Sequence, residues 1–279
     1  MRNATSPFTD FGQVSGPLYA SADRISRRTG ALHRARASGR HAAEVIADLA
    51  AEAVPSGAPV IADIGCGRGT TTCLLAARLP RARIVAIDLS AALLVTVRRR
   101  LPTGAGAGAA RADFHRLPLG DGACNLAVAA FCLYHSPSPE RVIAEIARCL
   151  APGGTAIIAV KSADSYRELD QLMATSRLVP DAPGRSSLYE TAHSGNITRL
   201  AATSLDIRQV INHSHAFVFP TLAEIAEYLA TSPKYGLPAC LTSDPAVLAA
   251  ELRRRLPDES FTMTSVVTYL VAGRAAATP

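Results

Sequence analysis

Apolar positions along this chain change rhythm several times, and each change marks an element. Over residues 41–54 they recur at helical spacing, with Val45, Ile46, Leu49, Ala50 and Ala53 on one face, until Pro55-Ser56-Gly57 breaks the run. Short β-branched runs then alternate with helical ones: strand 60–64, helix 70–79, strand 83–88, helix 91–101. The Gly/Ala-rich stretch 104–110 reads as a connection, followed by strands at 109–113 and 125–131. Ser138-Pro139 supplies a cap and a first-turn proline for a helix over 139–150, with Ile143, Ile146 and Leu150 on one face. The turn Ala151-Pro152-Gly153-Gly154 precedes a strongly apolar strand at 155–160. Beyond Lys161 the spacing predicts helices at 165–176 and 195–203 around a loop at 177–189. Two long strands, 206–218 and 261–272, flank helical inserts at 222–229 and 245–256. Such alternation predicts an α/β fold whose seven-stranded sheet is mostly parallel, with helices on both faces.

A length of 279 residues suits one large domain with extensions. Residues 1–40 form an N-terminal, partly helical extension that could lie over a site, and 41–279 form the main domain. Hydrophobic residues make up 48% and charged ones 19%, which is ordinary for a chain that folds around a core. The longest apolar stretch, 126–134, falls short of the roughly 18 residues that suggest a membrane span, and residues 1–10 lack the apolar run of an export signal. A cytoplasmic protein with no membrane partner is expected. Six cysteines without a C-x-x-C pair read as reduced thiols. The net charge of +6 raises the question of a nucleic-acid partner. However, Arg98-Arg99-Arg100 and Arg253-Arg254-Arg255 each close a predicted helix, where cations complement the helix dipole.

The chemistry concentrates at Gly65-Cys66-Gly67-Arg68-Gly69, between a strand and a helix. Glycines there let the backbone turn tightly and approach a ligand without a Cβ in the way. The dinucleotide pattern G-x-G-x-x-G places its third glycine one residue later, and here Asp63 stands just before the turn. A carboxylate facing the loop repels a pyrophosphate and attracts an ammonium or sulfonium. Asp88, in Ile87-Asp88-Leu89-Ser90, ends the next strand about twenty residues on, where an acid accepts both hydroxyls of a ribose.

These residues resemble the class I S-adenosylmethionine-dependent methyltransferases. Asp63-Ile64-Gly65-Cys66-Gly67-Arg68-Gly69-Thr70 is similar to their first motif, and Asp88 to their ribose-binding acid. Ala112-Asp113-Phe114-His115-Arg116-Leu117-Pro118 resembles the segment that meets the adenine. The run from Gly120 to Val128 with Leu133-Tyr134-His135 resembles their fourth strand, and Leu150-Ala151-Pro152-Gly153-Gly154 the turn before the fifth. The likeness spans residues 41–160, in the style of menaquinone-biosynthesis-like small-molecule methyltransferases, and departs at Asn125, where an aspartate is usual. It implies a Rossmann-like fold, S-adenosylmethionine as methyl donor, S-adenosylhomocysteine as product, and no metal. It further implies that Asp63, Gly65, Gly67, Asp88, Leu89, Asp113 and Phe114 bind the cofactor and that Phe131 lines its methionine end. Tyr19 and an arginine, Arg28 or its neighbours Arg24 and Arg27, would close over the site and meet the methionine carboxylate.

The acceptor half carries no comparable signature. His135, with Tyr134 beside it, is the first candidate base, because an imidazole accepts protons near neutral pH; the alternative is a wall residue. His193, before a predicted helix, is a second candidate base or a cap. His213 and His215 share a strand face but lack a third metal ligand nearby in sequence. Acceptor-pocket elements are expected at 162–205 and 220–258, holding a small molecule, such as a secondary metabolite, that is methylated at O, N or C. No flipped-base motif or Pro-Cys pair supports an RNA or DNA substrate, which stays the alternative together with a non-catalytic cofactor-binding module of the same fold. A homodimer is compatible with the sequence.

Overall fold

The computed structural model describes residues 6–14, 16, 18–19, 22–101 and 106–275. The start of the Gly/Ala connection, residues 102–105, lies outside them, as do parts of the N-terminal extension. In chain order the elements are α1 (Phe11–Val14), α2 (Ala22–Ala35), β1 (Arg36–Ser38), α3 (Ala42–Ala53), β2 (Val60–Ile64), α4 (Thr70–Arg78), β3 (Arg83–Asp88) and α5 (Ala91–Arg100). Next come β4 (Ala107–Arg111), β5 (Cys124–Ala130), α6 (Pro139–Cys149), β6 (Leu150–Lys161), α7 (Arg167–Thr175) and α8 (Ile197–Ala201). The chain ends with β7 (Leu205–Phe219), α9 (Leu222–Leu229), α10 (Ala239–Thr242), α11 (Pro245–Arg253) and β8 (Phe261–Arg274).

The sheet runs β1-β7-β8-β6-β5-β2-β3-β4. Strands β2 to β6 pair in parallel, and β8, β7 and β1 continue the sheet antiparallel. It has eight strands rather than seven. The extra one is β1, three residues from the end of the expected N-terminal extension, which pair with β7 at Arg36↔Phe217 and Ser38↔Ala216. So short an edge strand leaves no alternation to read.

Both faces of the parallel core are covered, as the period of two requires. Ile61, Ile84, Leu126 and Ile157 point to the face where α3 places Val45, Ile46 and Ala50. Ala62, Ile64, Ile87 and Ile158 point to the other, against Val142, Ile143 and Ile146 of α6. Asn125, the departure from the family pattern, holds the strand start: its Oδ1 accepts the Val60 N–H at 2.9 Å, tying β2 to β5. Strand β4 begins earlier than the expected 109, because Ala107 already pairs with Ile84. Its Gly/Ala composition gave no polar contrast to reveal this. Likewise the turn 151–154 is part of β6, whose register with β5 shifts between Cys124 and Leu126.

All six cysteines are free; Cys124, Cys132 and Cys149 are buried and Cys240 is exposed. No helix among the described residues is long and apolar enough to cross a membrane.

Candidate functional site

The loop after β2 is built by three glycines in left-handed conformation, with φ of 64° at Gly65, 56° at Gly67 and 79° at Gly69. Two of them serve different ends. A Cβ on Gly65 would lie 2.5 Å from the Cβ of Cys132, so that glycine permits the packing of the loop on the segment after β5. A Cβ on Gly67 would meet nothing within 4 Å, which leaves its backbone open toward a cavity. Asp88, at the end of β3, braces the loop: its Oδ2 accepts the Gly67 N–H at 2.9 Å and its Oδ1 the Ser90 N–H at 2.8 Å. Burial raises the Asp88 pKa, and these backbone donors oppose the rise. Each carboxylate oxygen keeps a further lone pair for a ligand hydroxyl.

Asp113 and Phe114, after β4, stand on the same cavity wall with Leu89 and Phe131. Asp113 is held in place through Oδ1, which accepts from the backbone N–H of His115 at 2.9 Å and from its Nδ1 at 2.7 Å. The His115 Nε2 in turn meets the Ser136 hydroxyl at 2.8 Å. Open space over Gly67, the carboxylate of Asp88 and the ring of Phe114 together fit an adenosyl group.

Asp63 is placed differently from the expectation. It is 1% exposed and lies beneath the turn instead of on the cavity wall. Thr72 Oγ1 donates to its Oδ2 at 2.5 Å, while Oδ1 has no partner. Burial pushes its pKa up to about 7, against the pull of the Thr72 hydrogen bond, and the charge of Asp88 adds to the rise.

One cavity of about 540 Å³ runs from the glycine loop past Phe131 to a wall formed by Lys161, Tyr166, Tyr189 and Phe217. The N-terminal segment covers it. Both nitrogens of His135 are engaged there: Nδ1–H donates to the Phe8 carbonyl at 3.0 Å, which leaves Nε2 to accept from the Tyr19 hydroxyl at 2.8 Å. Ser90 Oγ donates to the Tyr19 carbonyl at 2.9 Å, fastening the same segment to the Asp88 loop. Burial pulls the His135 pKa down to about 4. With both ring nitrogens engaged, His135 stands as the wall residue that the sequence offered beside the candidate base. Tyr134 is 7% exposed and stacks on Phe8 at 5.4 Å between ring centres. Arg28 sits over the rings of Phe8 and Tyr228, 5.5 Å from each. Although burial works against its charge, Tyr228 and Tyr189 raise its pKa.

His193 does not line the cavity. It belongs to the turn before α8, where its Nδ1 accepts the Gly195 N–H and its own N–H donates to Asn196 Oδ1. The expected pocket elements contribute Tyr166 and Tyr189 from 162–205 and Thr231 from 220–258. More of the wall comes from the N-terminal segment, including Phe8, Leu32, His33 and Arg36. Sequence reasoning missed Lys161, Tyr166 and Tyr189, and read His215 only as sharing a strand face with His213 without a third metal ligand nearby. His215 is 6% exposed on the cavity wall and its Nε2 has no partner. One signal was present for Lys161, a lone lysine at the end of the most apolar strand.

The family model of a methyltransferase domain matches residues 62–158. The chain is 36% identical over 159 residues to trans-aconitate 2-methyltransferase of Methylobacterium nodulans, covering 57% of this chain and 58% of that one. It is 30% identical over 197 residues to the enzyme of the same name from an Acidovorax species, covering 67% of this chain and 72% of the relative. In three dimensions it shares the fold of geranyl diphosphate C-methyltransferase from Streptomyces coelicolor, with a TM-score of 0.51 and 15% identity over 94% of this chain and 87% of that one. The matched region carries the glycine loop, Asp88, Asp113 and Phe114, and on these matches the chain belongs to the class I S-adenosylmethionine-dependent methyltransferases.

Proposed function

We propose that this chain transfers the methyl group of S-adenosylmethionine to a small organic acceptor, at O, N or C. One observation carries the reading: a single cavity joins the glycine loop and Asp88 to an aromatic wall at the carboxyl ends of β5 and β6. In open α/β sheets this crevice is where ligands bind. In-line methyl transfer depends chiefly on bringing two reactants together in one enclosure. The wall combines aromatic rings with Arg28, Arg36, His33, His41 and His215. That lining suits a discrete molecule with an apolar body and an acidic group, such as a secondary metabolite, better than a nucleic acid. The substrate named for the relatives, trans-aconitate, is itself a small acid. The reading places the protein in the cytoplasm, where its methyl donor is made.

Incubation of the protein with methyl-labelled S-adenosylmethionine, first with trans-aconitate and then with a small-molecule extract, tests the proposal. The expected result is S-adenosylhomocysteine together with one labelled small product. Tight cofactor binding without transfer to any component would leave a non-catalytic module of the same fold as the better reading.

A further inference from the structure

Only two of the chain's 29 basic side chains are lysines, Lys161 and Lys234. Lys234 makes an ordinary ion pair, its Nζ 2.7 Å from Asp170 Oδ2. Lys161 is built into different surroundings. It ends β6 on the cavity wall, its Nζ donates to the Tyr166 hydroxyl at 2.6 Å, and it lies 4.5 Å from the ring centre of Tyr166, 5.4 Å from Tyr189 and 5.8 Å from Phe131. None of these partners is anionic. Arg28, from α2, acts on it with the same sign of charge, and the charge of Lys161 in turn lowers the pKa of His215 on β7. Ring faces return less than a counter-ion would for a desolvated ammonium. Burial, with Arg28 adding to it, brings the amine down to about 7. An arginine, the residue used at every other basic position but Lys234, cannot lose its proton in a protein.

We propose that Lys161 accepts the proton of the acceptor atom being methylated, with Tyr166 positioning its Nζ. This rests on the reading of the cavity as a methyl-transfer site. The O–H or N–H proton of the acceptor passes to the Nζ lone pair. The electron pair left on that oxygen or nitrogen forms the bond to the methyl carbon as the carbon–sulfur bond breaks, and both electrons of the broken bond stay on sulfur. The products are the methylated acceptor, the neutral thioether S-adenosylhomocysteine and the Lys161 ammonium, which then returns its proton to water. The enclosure holds one sulfonium before the step and one ammonium after it, so these two cations never share it beside Arg28. His135, with both nitrogens engaged, is not available for the task. The acceptor atom is consequently one that carries a proton at neutral pH, a hydroxyl or an amine; methyl transfer to an ionised carboxylate of trans-aconitate would leave Lys161 without this role.

With two lysines in the chain, the protonation of Lys161 can be read directly. Lysine labelled with carbon-13 at Cε gives two resonances, and the one lost in Lys161→Arg should titrate with a midpoint near 7. A midpoint above 9 would overturn the proposal. This measurement needs neither methyl donor nor acceptor, so its outcome is independent of whether methyl transfer itself is found. With the acceptor from the labelling experiment, kcat/KM should rise with pH to a plateau above the same midpoint. Lys161→Arg and Lys161→Met should lower it about 100-fold or more and abolish the pH limb, with S-adenosylhomocysteine affinity kept within threefold. Tyr166→Phe should lower kcat while leaving KM little changed. Retention of half the activity by a folded Lys161→Arg or Lys161→Met variant would refute the role.

Discussion

Replacing Asp88 by alanine removes acceptors from two sides at once. On the protein side, the Gly67 and Ser90 N–H groups lose partners at 2.9 and 2.8 Å. A buried donor left unsatisfied costs about 1–3 kcal/mol, and these half-buried ones fall near the lower end. On the ligand side, two ribose hydroxyls lose charge-assisted hydrogen bonds of about 1.5–3 kcal/mol each. The ligand-side loss alone, about 3–6 kcal/mol, corresponds to a roughly 10²- to 10⁴-fold weaker affinity. Asp88→Asn should lie between parent and alanine variant, because one oxygen remains while the amide presents donors to the backbone N–H groups. Calorimetric titration with S-adenosylhomocysteine measures both, and circular dichroism confirms that each variant is folded. If folded Asp88→Ala bound within threefold of the parent, the ribose assignment and the loop-bracing argument would both be wrong.

Two other predictions concern protonation and closure. Asp63 has a folded pKa of about 7 against an ordinary 3.8, so between these values the folded state holds a proton that the unfolded chain has released. Stability therefore falls as pH rises from about 4 to about 7, by up to about 4 kcal/mol, and Asp63→Asn should flatten that fall in urea denaturation; parallel pH curves for the two proteins would count against it. His135 is shifted the opposite way, so its share of stability is lost as pH drops from 6.5 toward 4. His135→Phe removes its links to Tyr19 and Phe8 and should cost about 1–3 kcal/mol while speeding proteolysis within residues 8–19. An unchanged cleavage rate would show that the imidazole does not hold the segment down.

The donor half was legible in the chain because it is local. Strand, glycine turn, helix and the acid of the next strand follow one another within residues 60–90, and backbone geometry alone dictates which residue types such a turn accepts. The parallel core was equally readable, since strands buried on both faces leave continuous apolar runs. Even there, the depth of Asp63 depended on Thr72 and on the sheet packed around it, which no spacing reports. The acceptor half is assembled from segments far apart in sequence: Phe8 and Tyr19 meet His135, Arg28 meets Tyr228, and Lys161 meets Phe131 and Tyr189. Whether His135 is a free base or a brace, and whether Lys161 is an ion pair or an enclosed amine, turns on neighbours brought together by tertiary packing. Burial and partner charge set a side chain's protonation, and neither is a property of its position in the chain.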